Sequence, residues 1–136
     1  MVDDLRAAGH EVVDLGTSDP NQPDDYPDFA GLACEAVRGG KAARAVVICG
    51  SGVGVAVAAN EFPGIRAGVC HDTYSGHQGV EHDDMNVLCV GARIVGPELT
   101  REIVRAFVCA TFTGEERHVR RLNKVKAIEA KFLRGK

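Results

Sequence analysis

Short apolar, β-branched runs alternate along the chain with stretches in which apolar residues recur at helical spacing. The run Ala45–Cys49, with the sequence AVVIC, is continuously apolar, as expected for a strand that is buried on both faces of a sheet. The other runs that predict strands are Val12–Gly16, Arg66–Cys70 and Val87–Gly91. The helical spacing predicts helices at Asp28–Val37, Val53–Ala59, Thr73–His82, Pro97–Phe107 and His118–Leu133.

The alternation of strands and helices predicts the fold class. Parallel strands joined through helices form β-α-β units, which place helices on both faces of the sheet. The sequence therefore predicts an α/β protein, a three-layer αβα sandwich with a parallel, Rossmann-like sheet. With 136 residues, no repeat and no linker, the chain is predicted to form a single domain over residues 1–136, with a basic helix at its C-terminal end.

The start of the chain departs from this scheme. A doubly wound domain normally opens with a strand, whereas the segment DDLRAAGHE has the pattern of a helix end, with Gly9 as its C-terminal glycine. We therefore expect the usual first strand and most of its helix to be missing before Val12–Gly16. In that case Val12–Gly16 and Ala45–Cys49 share a parallel sheet in which the first strand's position is vacant.

The composition of the chain argues against some classes of function and indicates the cellular compartment. The formal net charge is −3 and the isoelectric point is about 5.9, which argues against a nucleic-acid-binding domain. No run approaches the roughly 18 apolar residues of a membrane span, so no membrane partner is expected. The five cysteines are odd in number and include no Cys-x-x-Cys pair. Free thiols in a cytoplasmic protein therefore fit better than disulfides or a zinc site.

The strongest local signal for chemistry is the glycine-rich stretch Cys49–Gly54, with the sequence CGSGVG, between a predicted strand and a predicted helix. In open α/β sheets, ligands bind beyond the carboxyl ends of the strands. The N–H groups that open the next helix favour an anion and lower the pKa of a nearby thiol such as Cys49. The glycine spacing fits neither a Rossmann fingerprint nor a P-loop. The spacing alone favours a packed cysteine at the strand end over a catalytic base.

Histidines and acids cluster in two stretches, Cys70–Ser75 and Glu81–Asn86. Their spacing matches no common zinc or iron site, so no metal is expected. An acid–base histidine is the better interpretation, because imidazole exchanges protons near neutral pH. A structural histidine remains the alternative for both His71 and His82.

Arginines near the end of the chain form a candidate anion site. Arg117, Arg120 and Arg121 share one face of a predicted helix through i,i+3 and i,i+4 spacing. Guanidinium groups suit phosphate oxygens, and Arg93, just after a predicted strand, could join them. A solvated basic helix is the alternative interpretation.

Several motifs occur together in an order that points to one known family. They are CGSGVGVAVAAN (49–60), FPGIRA (62–67), CHDTYS (70–75), EHDDMNVL (81–88), GARIVG (91–96) and RHVRR (117–121). With them the chain resembles ribose-5-phosphate isomerase B and its relatives, the galactose-6-phosphate isomerase subunits and the tetrose-phosphate isomerases. The resemblance extends from about Leu5 to Ile128, and several motifs in register are more specific than any one of them.

The resemblance implies an aldose–ketose isomerase that interconverts ribose 5-phosphate and ribulose 5-phosphate through a cis-enediolate, with neither metal nor organic cofactor. In the family's pattern Cys49 matches the base that moves the proton, Ser51 a hydroxyl that helps set the state of that base, and His82 the histidine that opens the furanose ring. The residues that match sugar contacts are Tyr26, Gly50, Gly52, Val53, Gly54 and Asn86. The residues that match the phosphate clamp are Arg93, Arg117 and Arg121.

The resemblance also implies a cytoplasmic homodimer whose active sites draw residues from both chains, or a tetramer of such chains. Departures from the family's pattern bear on the substrate. The family's Asp-His-Ala-Gly motif is missing, Asp83 replaces an asparagine more common in the family, and Gly76–Val80 replaces a more usual helical segment. The alternatives are therefore a tetrose-phosphate (erythrulose-4-phosphate) isomerase and, from another class, a non-catalytic sugar-phosphate-binding subunit.

Overall fold

The computed structural model describes residues 1–133, and the last part of the predicted domain, residues 134–136, lies outside the described residues. The strands are β1 (Ala45–Cys49), β2 (Ala67–Val69) and β3 (Val87–Gly91). The helices are α1 (Val2–Ala7), α2 (Tyr26–Arg38), α3 (Val53–Ala59), α4 (Thr73–Asp83), α5 (Pro97–Cys109) and α6 (Glu116–Phe132). None of the helices in this part of the chain is long and apolar enough to cross a membrane.

Within the described residues, the strands form one parallel sheet in the order β1-β3-β2. Cys49 at the end of β1 faces Gly91 at the end of β3, and Val69 at the end of β2 faces Cys89. Every residue of the central strand β3 is buried, which explains why its sequence VLCVG is apolar throughout. The parallel arrangement brings the carboxyl ends of β1 and β3 to one edge of the sheet.

Alternate residues of β3 supply the cores on the two faces of the sheet. Val87 and Cys89 pack with α2 and α3 on one face. Leu88 and Val90 pack with α4 and α5 on the other face, where Phe107 of α5 is fully buried. Helices therefore cover both faces, and the predicted three-layer αβα sandwich is confirmed.

The bounds of β1, α3 and β3 coincide with the predicted elements. Each is an apolar segment that glycine or a polar turn residue bounds closely, so the pattern leaves little freedom at its ends. The helix α2 begins earlier than predicted, at Tyr26, because Pro27 is suited to the first turn of a helix. The helix α6 begins at Glu116, two positions before the predicted start at His118.

The segment Val12–Gly16 is not a strand, and this prediction is wrong. In the described part of the chain, β1 pairs with β3 alone and no strand lies beside Val12–Gly16, so the predicted sharing of a sheet with β1 is wrong as well. A strand is held by hydrogen bonds to a neighbouring strand, so a β-branched run without such a neighbour stays irregular. Val13 is accordingly 57% exposed.

The predicted helix end at the start of the chain is confirmed. The helix α1 ends at Ala7, and Gly9 follows with a φ of 94°, in the left-handed region. The N–H groups of Gly9 and His10 donate to the carbonyl oxygens of Arg6 and Leu5, each at 3.0 Å. This is the pattern of hydrogen bonds with which a glycine closes a helix.

Candidate active site

A cleft opens at the carboxyl edge of the sheet, where β1 passes into α3. It has a volume of about 400 Å³ and lies between the loop after β1, the loop after β3 and the start of α2. The residues that line it are Tyr26, Cys49, Gly50, Ser51, Gly54, Arg93 and Ile94. The structure therefore brings the glycine-rich stretch together with two predicted ligand contacts, the Tyr26 ring and the Arg93 guanidinium.

The Cys49 thiol lies in a cradle of backbone N–H groups. The loop can curl around the sulfur because Gly52 has a φ of 80°, which glycine adopts without strain. The Gly52 N–H donates to Cys49 Sγ at 3.2 Å. Burial alone would raise the pKa of Cys49, but the N–H groups outweigh burial and lower the pKa below the ordinary value of 9.0. These N–H groups belong to Val55, Gly52, Ser51 and Gly54.

The other thiols in the interior are in the opposite situation. Burial, followed by the charge of Asp72, raises the pKa of Cys70 to about 11. Burial and the neighbouring thiols raise the pKa of Cys89 to about 12, and burial also raises the pKa of Cys34. Cys49 is therefore the thiol in the described interior whose surroundings favour the thiolate, which is the form that accepts a proton.

Ser51 and Arg93 complete the cleft on either side of the thiol. The Ser51 hydroxyl accepts a hydrogen bond from the Val53 N–H at 3.2 Å, which fixes the turn into α3. The Arg93 side chain lies along Gly50, since a Cβ on Gly50 would be 3.6 Å from Arg93 Cδ. Among the described residues, the Arg93 guanidinium has no hydrogen-bond or ion-pair partner, so its charge faces solvent at the cleft.

His82 does not line the cleft of its own chain. It lies on α4, where its Nδ1 is 2.8 Å from Gln78 Nε2. Its ring stacks on His118 of α6, with centroids 4.0 Å apart and ring planes at 24°. His118 is 2% exposed, and its Nδ1 is 2.6 Å from the Thr113 hydroxyl. Burial, followed by the neighbouring His82 and Arg117, lowers the pKa of His118.

Asn86 also lies away from the cleft. Its Oδ1 accepts a hydrogen bond from the Arg66 N–H at 2.7 Å, and its Nδ2 donates to the Gly64 carbonyl at 2.9 Å. The side chain thus joins the turn before β2 to the start of β3. The structure does not bring this predicted sugar contact to the cleft.

The arginines of the RHVRR motif lie in the first two turns of α6, apart from Arg93. Arg117 and Arg120 form ion pairs with Glu115 and Glu116, respectively, at 3.2 and 2.7 Å. The Arg121 side chain is exposed and has no ion pair among the described residues. A single chain therefore does not assemble the predicted phosphate clamp.

Sequence reasoning missed two residues of this region. Ile94 lines the cleft and is 60% exposed, an unusual environment for isoleucine; its position directly after Arg93 in GARIVG was the available signal. Gln78 holds His82, and the i,i+4 spacing of the two on one predicted helix indicates that contact. No local pattern places His118 against His82, because the stacked rings belong to separate helices.

The family model described as Ribose/Galactose Isomerase matches residues 1–125. The chain belongs to this family. Ribose-5-phosphate isomerase B of Escherichia coli (strain K12) is 43% identical to this isomerase over 129 residues, which cover 95% of this chain and 85% of the relative. The D-erythrulose-4-phosphate isomerase of Pectobacterium atrosepticum is 38% identical over 114 residues, 84% of this chain and 75% of the relative. The resemblance drawn from the motifs is confirmed.

Solved structures agree with the family assignment. Ribose-5-phosphate isomerase B of Clostridium thermocellum is 45% identical to this isomerase, with a TM-score of 0.90 that covers 96% of this chain and 86% of the other. The enzyme of Mycoplasma genitalium with bound ribulose-5-phosphate is 36% identical, with a TM-score of 0.89 and the same shares of the two chains, 96% and 86%. The sheet and helices of this isomerase therefore follow the fold of that enzyme type.

Proposed function

We propose that this isomerase interconverts ribose 5-phosphate and ribulose 5-phosphate, with Cys49 as the base that moves the proton between C1 and C2. One observation carries the proposal: the backbone N–H groups around Cys49 Sγ lower the pKa of this thiol, at the mouth of a cleft with a free guanidinium. A base must be ionised near the working pH and within reach of the substrate carbon. Among the interior thiols of the described residues, Cys49 is the one whose pKa is lowered, which favours the ionised form, and the one that lines the cleft.

In the proposed reaction, the Cys49 thiolate removes the proton from C2 of the open-chain aldose. The electron pair moves to the C1 oxygen, and a cis-enediolate forms. The thiol then returns the proton to C1. The C2 hydroxyl gives up its proton as the C2 oxygen becomes the ketone, and the C1 oxygen takes up one proton and ends as a hydroxyl. The N–H groups of the loop Gly50–Gly54 supply donors for the developing oxyanion, and preorganised donors of this kind are often the largest catalytic contribution.

We further propose that a second copy of the chain completes the site, as a homodimer or a tetramer of such chains. His82, Arg117 and Arg121 match functional residues of the family's pattern, yet they do not line the cleft of their own chain. Arg121 is exposed and unpaired within the described residues, so its guanidinium is available to a phosphate held in a neighbouring chain's cleft. The five free cysteines suit a reducing compartment such as the cytoplasm.

A steady-state assay with ribose 5-phosphate tests the proposal. The wild-type protein and a Cys109→Ser control, which changes an exposed thiol at the end of α5, are expected to turn over the substrate at equal rates. Cys49→Ser is expected to bind the sugar phosphate and to turn it over about 10²–10⁴-fold more slowly. Binding without turnover by the wild type would instead support the non-catalytic subunit.

A tetrose phosphate is the second candidate substrate. The similarity to D-erythrulose-4-phosphate isomerases of two organisms, at 38% and 40% identity, supports this candidate. The chain also has Asp83 where the family more often has an amide, which is the departure in the motif that leaves the substrate open. A ratio of kcat/KM values for D-erythrulose 4-phosphate and ribose 5-phosphate above one would select the four-carbon substrate.

A further inference from the structure

The His71 side chain accepts a hydrogen bond at the end of the central strand. The ladder between β2 and β3 ends where the Cys70 N–H donates to the Cys89 carbonyl oxygen at 3.1 Å. Farther along β3, the Gly91 N–H donates to His71 Nε2 at 3.0 Å. A backbone N–H only donates, so Nε2 is the unprotonated nitrogen of the ring. The imidazole therefore takes the place that a strand carbonyl would have at this edge of the sheet.

The chain on both sides of His71 is held in place. Cys70, which precedes it, is 5% exposed and belongs to the core that α4 and α5 cover. Asp72, which follows it, caps α4, since its carboxylate accepts a hydrogen bond from the Ser75 N–H at 2.7 Å. The half-buried His71 side chain thus extends from a fixed segment of backbone, and so it can fix the peptide that donates to it.

The peptide that donates to His71 supports the loop around the Cys49 thiol. It joins Val90 to Gly91, and a Cβ on Gly52 would be 3.0 Å from its carbonyl carbon and 3.1 Å from its nitrogen. Gly52 is the residue whose N–H donates to Cys49 Sγ. Because the two backbones are in contact, with no flexible side chain between them, a shift of this peptide moves a donor of the thiol.

The two residues after Gly91 bind the same loop through their backbones. The Ala92 N–H donates to the Cys49 carbonyl oxygen at 2.8 Å, and the Arg93 N–H donates to the Gly50 carbonyl oxygen at 3.0 Å. Successive N–H groups thus hold the turn after β3, and the first of them has a side chain as its acceptor. A substitution of that side chain removes the first hydrogen bond and leaves the acceptors of the other two in the chain.

We propose that His71 is a positioning residue, which fixes the Gly91 peptide and thereby holds the N–H groups around the Cys49 thiol in place. The inference rests on the proposed function for the reaction that the thiol catalyses. His71 does not line the cleft, so it acts through Gly91 and not by contact with the substrate. The structural histidine that the sequence leaves open at this position thereby gains a role at the site.

The acidity of Cys49 tests the proposal without any substrate. The rate of iodoacetamide labelling as a function of pH gives the pKa of this thiol, in a Cys109→Ser background that removes the exposed thiol. His71→Leu removes the acceptor and is expected to raise the pKa of Cys49 toward the ordinary value of 9.0. His71→Gln keeps an accepting oxygen and is expected to restore most of the wild-type pKa.

Asn60 provides the matched control, at the start of β2. Its Oδ1 accepts a hydrogen bond from the Ala67 N–H at 2.9 Å, so Asn60→Leu also removes a side-chain acceptor from the backbone of the sheet. Urea unfolding shows how much stability each variant loses. Asn60→Leu is expected to lower the free energy of unfolding and to leave both the pKa of Cys49 and kcat unchanged, because Asn60 and Ala67 do not line the cleft.

Kinetics on the same variants connect the hydrogen bond to catalysis. His71→Leu is expected to lower kcat by about 10- to 100-fold, the effect of a small misplacement of a catalytic group, and His71→Gln by less. If His71→Leu fails to fold, His71→Asn takes its place, because the shorter amide does not extend as far as Nε2. Two-bond ¹H–¹⁵N spectra of the wild type above neutral pH are expected to show a bare Nε2 and a protonated Nδ1 for His71.

Three results would each overturn the proposal. The first is a protonated Nε2 for His71 in the wild type above neutral pH. The second is an unchanged pKa of Cys49 in the variant that lacks the acceptor, and the third is an equal effect of His71→Leu and Asn60→Leu on that pKa and on kcat. If the wild type turned over no sugar phosphate, the proposed function would fail, and the pKa of Cys49 in the variants would still decide the role of His71.

Discussion

Gly91, the last residue of β3, lies against the backbone of Ser51 so closely that a Cβ on Gly91 would be 2.6 Å from the Ser51 carbonyl carbon. Through this contact the loop after β1 packs directly against the end of the central strand β3. It joins two backbones, so neither partner has a flexible side chain that could move aside. The position of the Cys49 cradle therefore depends on the absence of a side chain on a different strand.

Gly91→Ala is expected to destabilise the protein by about 3 kcal/mol, because overpacking against backbone forces the strand and the loop apart. The free energy of unfolding in urea measures the effect. Gly54→Ala is the matched control. Its Cβ would be 2.9 Å from the half-exposed Tyr26 ring, which can turn away, and the gain in helix propensity of about 1 kcal/mol offsets the strain. Equal losses for the two variants would contradict the role given to the Gly91 contact.

Cys49→Ser is expected to lower turnover by about 10²–10⁴-fold while the fold persists, because a hydroxyl has a far higher pKa than a thiol and is a poor base. In a Cys109→Ser background, which removes the exposed thiol, iodoacetamide should label Cys49 faster than Cys70 or Cys89. Mass spectrometry of peptides from a time course identifies the labelled residue. Isomerase activity near the wild-type level in Cys49→Ser would exclude this thiol as the base.

Arg117→Ala and Arg121→Ala are expected to weaken binding of the sugar phosphate by roughly 1.5–3 kcal/mol each, or about ten- to a hundredfold in affinity, because each loses a charge-assisted hydrogen bond. Arg120→Ala is the control, since both Nη1 contacts of Arg120 are already made to Glu116 at 2.8 and 2.7 Å. Calorimetric titration with ribose 5-phosphate gives the affinities. The same loss at all three positions would indicate a diffuse basic surface and no clamp.

Asn86→Ala is expected to lower the free energy of unfolding. The change leaves the Arg66 N–H and the Gly64 carbonyl without their partner, at a cost of about 1–3 kcal/mol if water does not replace it. Thermal or urea unfolding measures the loss. A raised KM with an unchanged free energy of unfolding would contradict this structural role. It would support Asn86 as one of the sugar contacts that the family resemblance implies.

The buried thiols predict a loss of stability in alkali. The pKa values of Cys70 and Cys89 rise from 9.0 in the ordinary state to about 11 and 12 in the folded chain. Their stabilising effect is therefore complete below pH 9 and is lost as the pH rises through 9 toward 11 and 12, because the unfolded chain releases these protons first. Each such thiol contributes a slope of up to about 1.4 kcal/mol per pH unit. Cys89→Ala should flatten the decline of the unfolding free energy above pH 9, and an unchanged slope would contradict the assignment.

The sequence predicted the elements whose cause is local. An apolar run such as Ala45–Cys49 followed by glycines has few alternatives to a buried strand and a tight turn, so β1, α3 and β3 agree to the residue. Val12–Gly16 has the same local pattern, but a strand depends on hydrogen bonds from elsewhere in the chain. The local pattern does not indicate whether a neighbouring strand is present, and the described residues contain none that pairs with Val12–Gly16.

The candidate site also contains some residues that a local motif brings together and others that only the folded chain brings together. Cys49, Ser51 and the glycines are contiguous, so one motif brings them together, and Arg93 joins them because Cys49 pairs with Gly91 across the sheet. The stacking of His82 on His118 depends on how α6 returns over α4, which no spacing within either motif encodes. Asn86 lies in the same motif as His82, which the family resemblance predicts to be functional. The Asn86 amide instead bonds to the backbone, and only three-dimensional contacts reveal this.

The hydrogen-bond donors around the Cys49 sulfur are backbone N–H groups, so a substitution that changes only a side chain of the loop does not remove them. Replacing the side chain of Ser51 removes a hydroxyl, and replacing that of Val55 alters packing, but neither deletes the N–H that faces the thiol. Proline is one exception, because it has no N–H to offer. Replacement of Gly52 is another, because its φ of 80° favours glycine. Engineering of this loop can therefore vary its side chains widely and still retain an acidic thiol, provided that the course of the main chain through residues 50–55 is kept.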